Sequence, residues 1–183
     1  MMKIALATGA LMLLLASCAS TPDLDYYTLD MSSSGKAVSD LDLEVDRFAA
    51  SQRIDRAQIV IQQSPTRIEL YATERWASSV GEMVERKLTA EFGPAVGGRR
   101  ALRVSGTVVA LEQVDSPAGP QALARLEIAI RDGGAKRYEA ALLEKTYEAR
   151  RAADSNSVDA VVQALSRAVE AIAAEIAADA AGL

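Results

Sequence analysis

Apolar and polar residues alternate with a period of two along most of this chain and change to helical spacing at two places. Leu41, Leu43 and Val45 alternate with Asp42, Glu44 and Asp46, the pattern of a half-buried strand; Phe48 follows nearby but out of phase. Residues 26–29, Tyr-Tyr-Thr-Leu, are strand formers and predict an opening strand, with a loop over 31–40. Residues 58–62 and 67–71 predict a hairpin split by Ser64-Pro65-Thr66, after which 73–78 reads as a connection carrying Trp76. Ser79 followed by Glu82 fits a capping box, and Val80, Met83, Val84 and Leu88 fall on one helical face that ends at Gly93-Pro94. Residues 102–114 form a long apolar strand. In 121–131, Ala122, Ala124, Leu126, Ile128 and Ile130 share one face, against Arg125, Glu127 and Arg131. Asp132-Gly133-Gly134 predicts a tight turn relying on positive φ, with 138–149 as the returning strand.

The last stretch has the strongest period. Ser157 is a plausible N-cap, and Val158, Val162, Leu165, Val169, Ile172 and Ile176 form one apolar stripe, with alanine and charged residues expected opposite. A short coiled coil is the rival reading, but a sheet available for cover favours packing on it. The pattern predicts one α+β domain: a mostly antiparallel sheet with two helices packed on one face, and no internal repeat.

The first residues obey a different logic. Lys3 precedes an apolar run over 4–15, and Leu15-Ala16-Ser17-Cys18 follows. A charged start, a short apolar core and small residues before a cut describe an export signal, too short for the roughly 20 residues of a membrane span. Leu-Ala-Ser-Cys resembles the lipobox of bacterial lipoproteins, whose cysteine sulfur takes a diacylglyceryl group before cleavage. The alternative is an ordinary secreted protein with a stray thiol. The chain holds one cysteine, which excludes an internal disulfide, and a thioether is inert in an oxidising periplasm where a free thiol is not. The expected organisation is therefore a cleaved signal at 1–17, an acylated tether at 18–25 and a folded domain at 26–183.

Loss of Lys3 with the signal leaves 19 basic against 25 acidic side chains, a balance of −6. That acidity argues against nucleic acid as a partner and against electrostatic binding to an anionic membrane, so membrane attachment falls to Cys18. Histidine is absent, which removes the commonest general base and neutral metal ligand; with the cysteine assigned to lipid, neither thiolate catalysis nor a cysteine-held metal remains. No nucleophile-elbow or phosphate-loop pattern occurs. Carboxylate-pair catalysis stays open on composition, but nothing singles out a pair and plentiful acids are usually a solvated face, so the expectation is a protein that is not an enzyme, with no cofactor and no metal.

Residues 54–60, Ile-Asp-Arg-Ala-Gln-Ile-Val, then Arg67-Ile68-Glu69-Leu70 and Arg75-Trp76-Ala77 resemble the signature of the ABC-type transport auxiliary lipoproteins, and residues 26–29 are similar to that family's opening strand. The specific motifs lie within 26–88; beyond residue 100 only the order of elements matches. Ala57 stands where the family commonly has proline. The resemblance implies a non-catalytic accessory subunit of a transport system with an ABC ATPase, a permease and an MCE-type substrate-binding protein, associated with lipid movement between membranes. It also implies Asp55, Arg56, Arg75 and Trp76 as motif residues, structural or partner-contacting. Ala19 and Ser20, lacking the Asp that retains lipoproteins at the inner membrane, place it on the periplasmic side of the outer membrane. Trp76 reads as a core anchor rather than a binding residue, and Asp55 and Arg56 as a partner or self-association contact or as an exposed ion pair. The loop Ser116-Pro117-Ala118-Gly119-Pro120 is long enough to touch a membrane or partner, or is a stiff connection. A pilot or assembly lipoprotein, holding an outer-membrane or secretion complex in place, is the alternative function.

Overall fold

The computed structural model describes residues 22–37, 40–136 and 138–183; the expected signal, its cleavage site and Cys18 lie outside the described residues. The elements are β1 (Asp25–Tyr27), β2 (Asp42–Ala50), β3 (Gln58–Ser64), β4 (Arg67–Trp76), α1 (Val80–Phe92), β5 (Ala101–Val114), β6 (Gln121–Asp132), β7 (Leu143–Ala152) and α2 (Val158–Ala180). All seven strands join one sheet in the order β1-β4-β3-β5-β6-β7, with β2 also on β5. β5 is the spine: β2 lies along Ala101–Val108 and β3 along Glu112–Val114 of the same flank, end to end.

The α+β class holds, but the sheet is mixed rather than mostly antiparallel. β3–β4, β5–β6 and β6–β7 are antiparallel, while β1–β4, β2–β5 and β3–β5 are parallel. Alternation reports which face a side chain takes and carries no information about the neighbour's direction. The direction comes from the connection: β3 reaches its parallel neighbour β5 only through β4 and α1 together, a crossover long enough for parallel pairing.

Both helices pack against the sheet, α1 mainly on β2 and α2 on β6 and β7, and they touch each other. Ser79 caps α1 by accepting from the Glu82 amide, and Gly93 ends it at φ 75. Ser157 caps α2 through the Ala160 amide. The α2 stripe from Val162 to Ile176 is buried, but so are Ala160, Ala164, Ala168, Ala173 and Ala177, expected on the solvent side. With α1 as a second neighbour, α2 buries more than one stripe, and methyl side chains permit that close approach.

Four local expectations are corrected. Phe48 is buried because three steps on β2 from Val45 match two on β5, a bulge that returns its side chain to the core face. The segment 73–76 belongs to β4 instead of a connection. The returning strand begins at Leu143, after a connection over 133–142. Gly133 is not a positive-φ glycine; a Cβ there would lie 2.8 Å from that of Ala101, so close approach is what excludes a side chain.

Candidate functional site

The helices leave one sheet face uncovered, and the loop carrying the first motif residues crosses it. Tyr147 donates its hydroxyl to Asp179 of α2 at 2.7 Å, which fixes Tyr147 and its β6 partner Leu126 on the helix side. Leu123, Arg125 and Glu127 therefore face the other way, with Glu112 opposite Leu123. Loop 51–57 crosses this open face. Its Ser51 amide donates to the Val108 carbonyl, Ile54 is buried beneath it, and Arg53 grips Glu112 with contacts of 2.5 and 2.6 Å. Burial pushes the Glu112 carboxyl up despite the Arg53 guanidinium beside it.

Asp55 and Arg56 ride on the outside of this loop, exposed, and neither side chain forms an ion pair among the described residues. The expected exposed pair between them is not formed. The loop end is tied to β4 where the Trp76 amide donates to the Ala57 carbonyl at 2.7 Å. A proline at 57 would offer the same carbonyl, so the departure from the family pattern leaves this contact intact. Trp76 is 4 % exposed.

Arg75 has a different task. Between Gln58–Arg75 and Val60–Leu70, one residue of β3 faces four of β4, so β4 bulges over 71–74. Carbonyls in such a bulge lose ladder donors. The Arg75 guanidinium supplies them, donating to the carbonyls of Tyr71 (3.1 Å), Ala72 (2.8 Å) and Glu74 (2.9 Å). The structure thus brings Asp55, Arg56, Arg75 and Trp76 to one junction, two as surface and two as scaffold.

Beside this junction the open face carries a polar trough of about 530 Å³, floored by Ser105, Thr107 and Ala129 and rimmed by Arg47, Glu127 and Glu144. Arg125 and Arg150 flank Glu148 nearby, and the hydrogen bond from Arg125 is the main reason its carboxyl sits low. The trough offers paired charges and hydroxyls without a nucleophile–base arrangement. Among the described residues no cluster of ligands could hold a metal ion, and no helix is long and apolar enough to cross a membrane.

A buried ionic cluster on the opposite side escaped the sequence reading. Lys87 of α1, 0 % exposed, contacts Glu91 at 2.8 Å, Glu170 of α2 at 3.0 Å and the Ser32 carbonyl at 2.8 Å. Glu91 in turn accepts from the amide and hydroxyl of Ser34. The signal was present: Lys87 and Glu91 occupy the apolar stripe of α1, where charges must be paired if buried.

The sequence model of the ABC-type transport auxiliary lipoprotein component matches residues 27–177. The chain belongs to that family. Two solved structures share its fold: an uncharacterized protein at TM-score 0.66 and 16 % identity, covering 87 % of this chain and 99 % of its own, and a Xanthomonas campestris protein of family DUF330 at TM-score 0.60 and 19 % identity, covering 85 % and 90 %. No curated protein matches the sequence. Membership makes the chain an auxiliary component of ABC-type transport, a membrane-anchored periplasmic lipoprotein in a family that is not one of enzymes.

Proposed function

We infer that this protein is a non-catalytic periplasmic subunit of an ABC transport system with an MCE-type substrate-binding protein, serving lipid movement between membranes. It is held on the outer membrane by acyl chains on Cys18 after removal of residues 1–17, with 18–25 as tether. The observation that carries this reading is the family match, which spans the motif junction and both helices. Ala19-Ser20 supports outer-membrane sorting. The exposed, unpaired Asp55 and Arg56, held on a loop fixed by Ile54 and Arg53, supply a charged contact of fixed geometry for a protein partner.

Capture of the acylated chain from detergent extracts tests this. The ATPase, permease and MCE-type protein are expected to copurify, and the double variant Asp55→Ala/Arg56→Ala should lose them while keeping its unfolding midpoint. Copurification with a secretin or an outer-membrane barrel instead would establish the pilot function. Undiminished capture by the double variant would move the contact elsewhere on the surface.

A further inference from the structure

One end of the sheet combines exposed apolar side chains with turns whose backbones are hydrogen-bonded locally, and β1 enters the sheet from that side. That end is built by the β3–β4 hairpin tip and the β5–β6 loop, joined where the Asp115 amide donates to the Gln62 carbonyl at 2.9 Å. Ile68 and Leu70 of β4 are 44 % and 38 % exposed there. Their register partners Gln62 and Val60 align with Val114 and Glu112 of β5, so both side chains lie on the helix-free face. In the hairpin turn, Ser64 Oγ accepts from the Thr66 and Arg67 amides. In the β5–β6 loop, Ser116 and Gly119 satisfy each other in both directions, leaving Pro117 and Ala118 outermost. Arg67 and Glu69 neutralise each other at 2.7 Å. The loop backbones can approach the interface at little polar cost, while the exposed Asp115 carboxylate, which accepts from the Gln113 side-chain amide, and the Arg67–Glu69 pair stay at headgroup level.

The position of the anchor selects the occupant. β1 runs parallel to β4 with Asp25 opposite Glu74, so the chain before Asp25 is directed back along β4 toward the hairpin tip. Cys18 lies seven positions before Asp25, and Arg67 seven positions before Glu74. Seven extended residues span at most about 25 Å, close to the run of β4 itself. A tether of that length is long enough to bring an acyl chain on Cys18 to the level of the tip. Of the other exposed large apolar residues described, Val96, Tyr138 and Leu142 belong to the opposite end of β5, Leu24 and Tyr26 lie at β1 and Leu183 follows α2; a strand as long as β5 separates the two ends by roughly 45 Å.

We propose that the hairpin tip and the β5–β6 loop form the membrane-facing end of the molecule, with Ile68 and Leu70 seated in the interfacial region of the phospholipid surface that holds the Cys18 acyl chains. The proposal rests on acylation of Cys18 and adds an orientation to it. Burial of two aliphatic side chains is too weak to hold a protein on a bilayer alone, but beside an anchor it decides which face is presented to the periplasm.

The acylated chain offers its own probe chemistry, since a thioether at Cys18 leaves an engineered cysteine as the one free thiol. Ile68→Cys, Leu70→Cys and, at the other end, Val96→Cys would each carry an environment-sensitive fluorophore. Each would be reconstituted in phosphatidylethanolamine–phosphatidylglycerol vesicles with and without nitroxide-bearing lipids. The expected result is a blue shift and loss of emission to the nitroxides at 68 and 70, with position 96 unchanged. Protein that floats with vesicles while 68 and 70 stay unquenched, or while 96 is quenched in their place, overturns the orientation and leaves the anchor standing. Failure to float, with two labels per molecule reporting a free Cys18 thiol, removes the anchor and the orientation together.

Discussion

Lys87 is a cation shut away from water, and its surroundings set what its loss should do. Two carboxylates and a carbonyl neutralise it, and through Ser32 and Ser34 it fastens the segment after β1 onto both helices. Replacing Lys87 by Met fills the volume but leaves Glu91 without its cation and Glu170 with only Lys36 at 3.8 Å, at a cost expected to be about 3–5 kcal/mol in urea unfolding. A change near zero would mean that water enters the cluster. Glu91 gives the same cluster a pH signature. Burial opposes its ionisation, but hydrogen bonds from Lys87 and Ser34 outweigh that and hold the carboxyl below its usual range. A depressed acid contributes stability that is present above its unfolded value, about 4.3, and is lost as pH falls through the folded value. Glu91→Gln should therefore be less stable than the parent at pH 7, with the gap closing below about pH 4. A gap that stays constant from neutral to acid pH would show that the charge is immaterial.

At the scale of elements, α1 approaches β2 closely at Gly81. A Cβ at Gly81 would come within 2.4 Å of the Phe48 carbonyl oxygen, which the β2 bulge has placed there. In an exposed helix, Gly→Ala adds roughly 1 kcal/mol of stability. Here the sign should reverse: Gly81→Ala must lift α1 from β2 or displace the bulge, lowering the thermal midpoint and hydrogen-exchange protection in both. An unchanged or raised midpoint would show that the interface yields. The same interface marks where sequence reading stopped. Period and caps locate α1, α2 and the apolar face of β6, because each follows from residues adjacent in sequence. The break in phase at Phe48 was visible, yet its cause, an extra residue on β2 against β5, depends on a strand more than fifty positions away. The pattern ends β4 early because bulge residues 71–74 lack alternation, and the Arg75 guanidinium that stabilises them acts through backbone carbonyls, which no side-chain pattern displays. The junction of Asp55, Arg56, Arg75 and Trp76 was legible as a motif; its division into surface and scaffold was not.

For the whole molecule, the folded domain and its means of attachment should be separable. Among the described residues every buried hydrophobic residue lies between Leu29 and Ala180, so changing the acylation site should leave the packing intact. Membrane affinity is a different quantity: each acyl methylene contributes about 0.8 kcal/mol, one chain holds marginally and two hold firmly. Ile68 and Leu70 together present far fewer carbons than one acyl chain and cannot substitute for it. Cys18→Ala should accordingly abolish incorporation of labelled fatty acid and signal removal by the lipoprotein route, and any form processed by another route should be recovered free in the periplasm. Its unfolding midpoint should match the parent domain's, and transport that depends on the auxiliary subunit should fail even though the Asp55–Arg56 surface is intact. Processed Cys18→Ala protein that still sediments with the outer membrane would show that the domain is held by a protein partner rather than by lipid, and the tether would then limit reach without providing attachment.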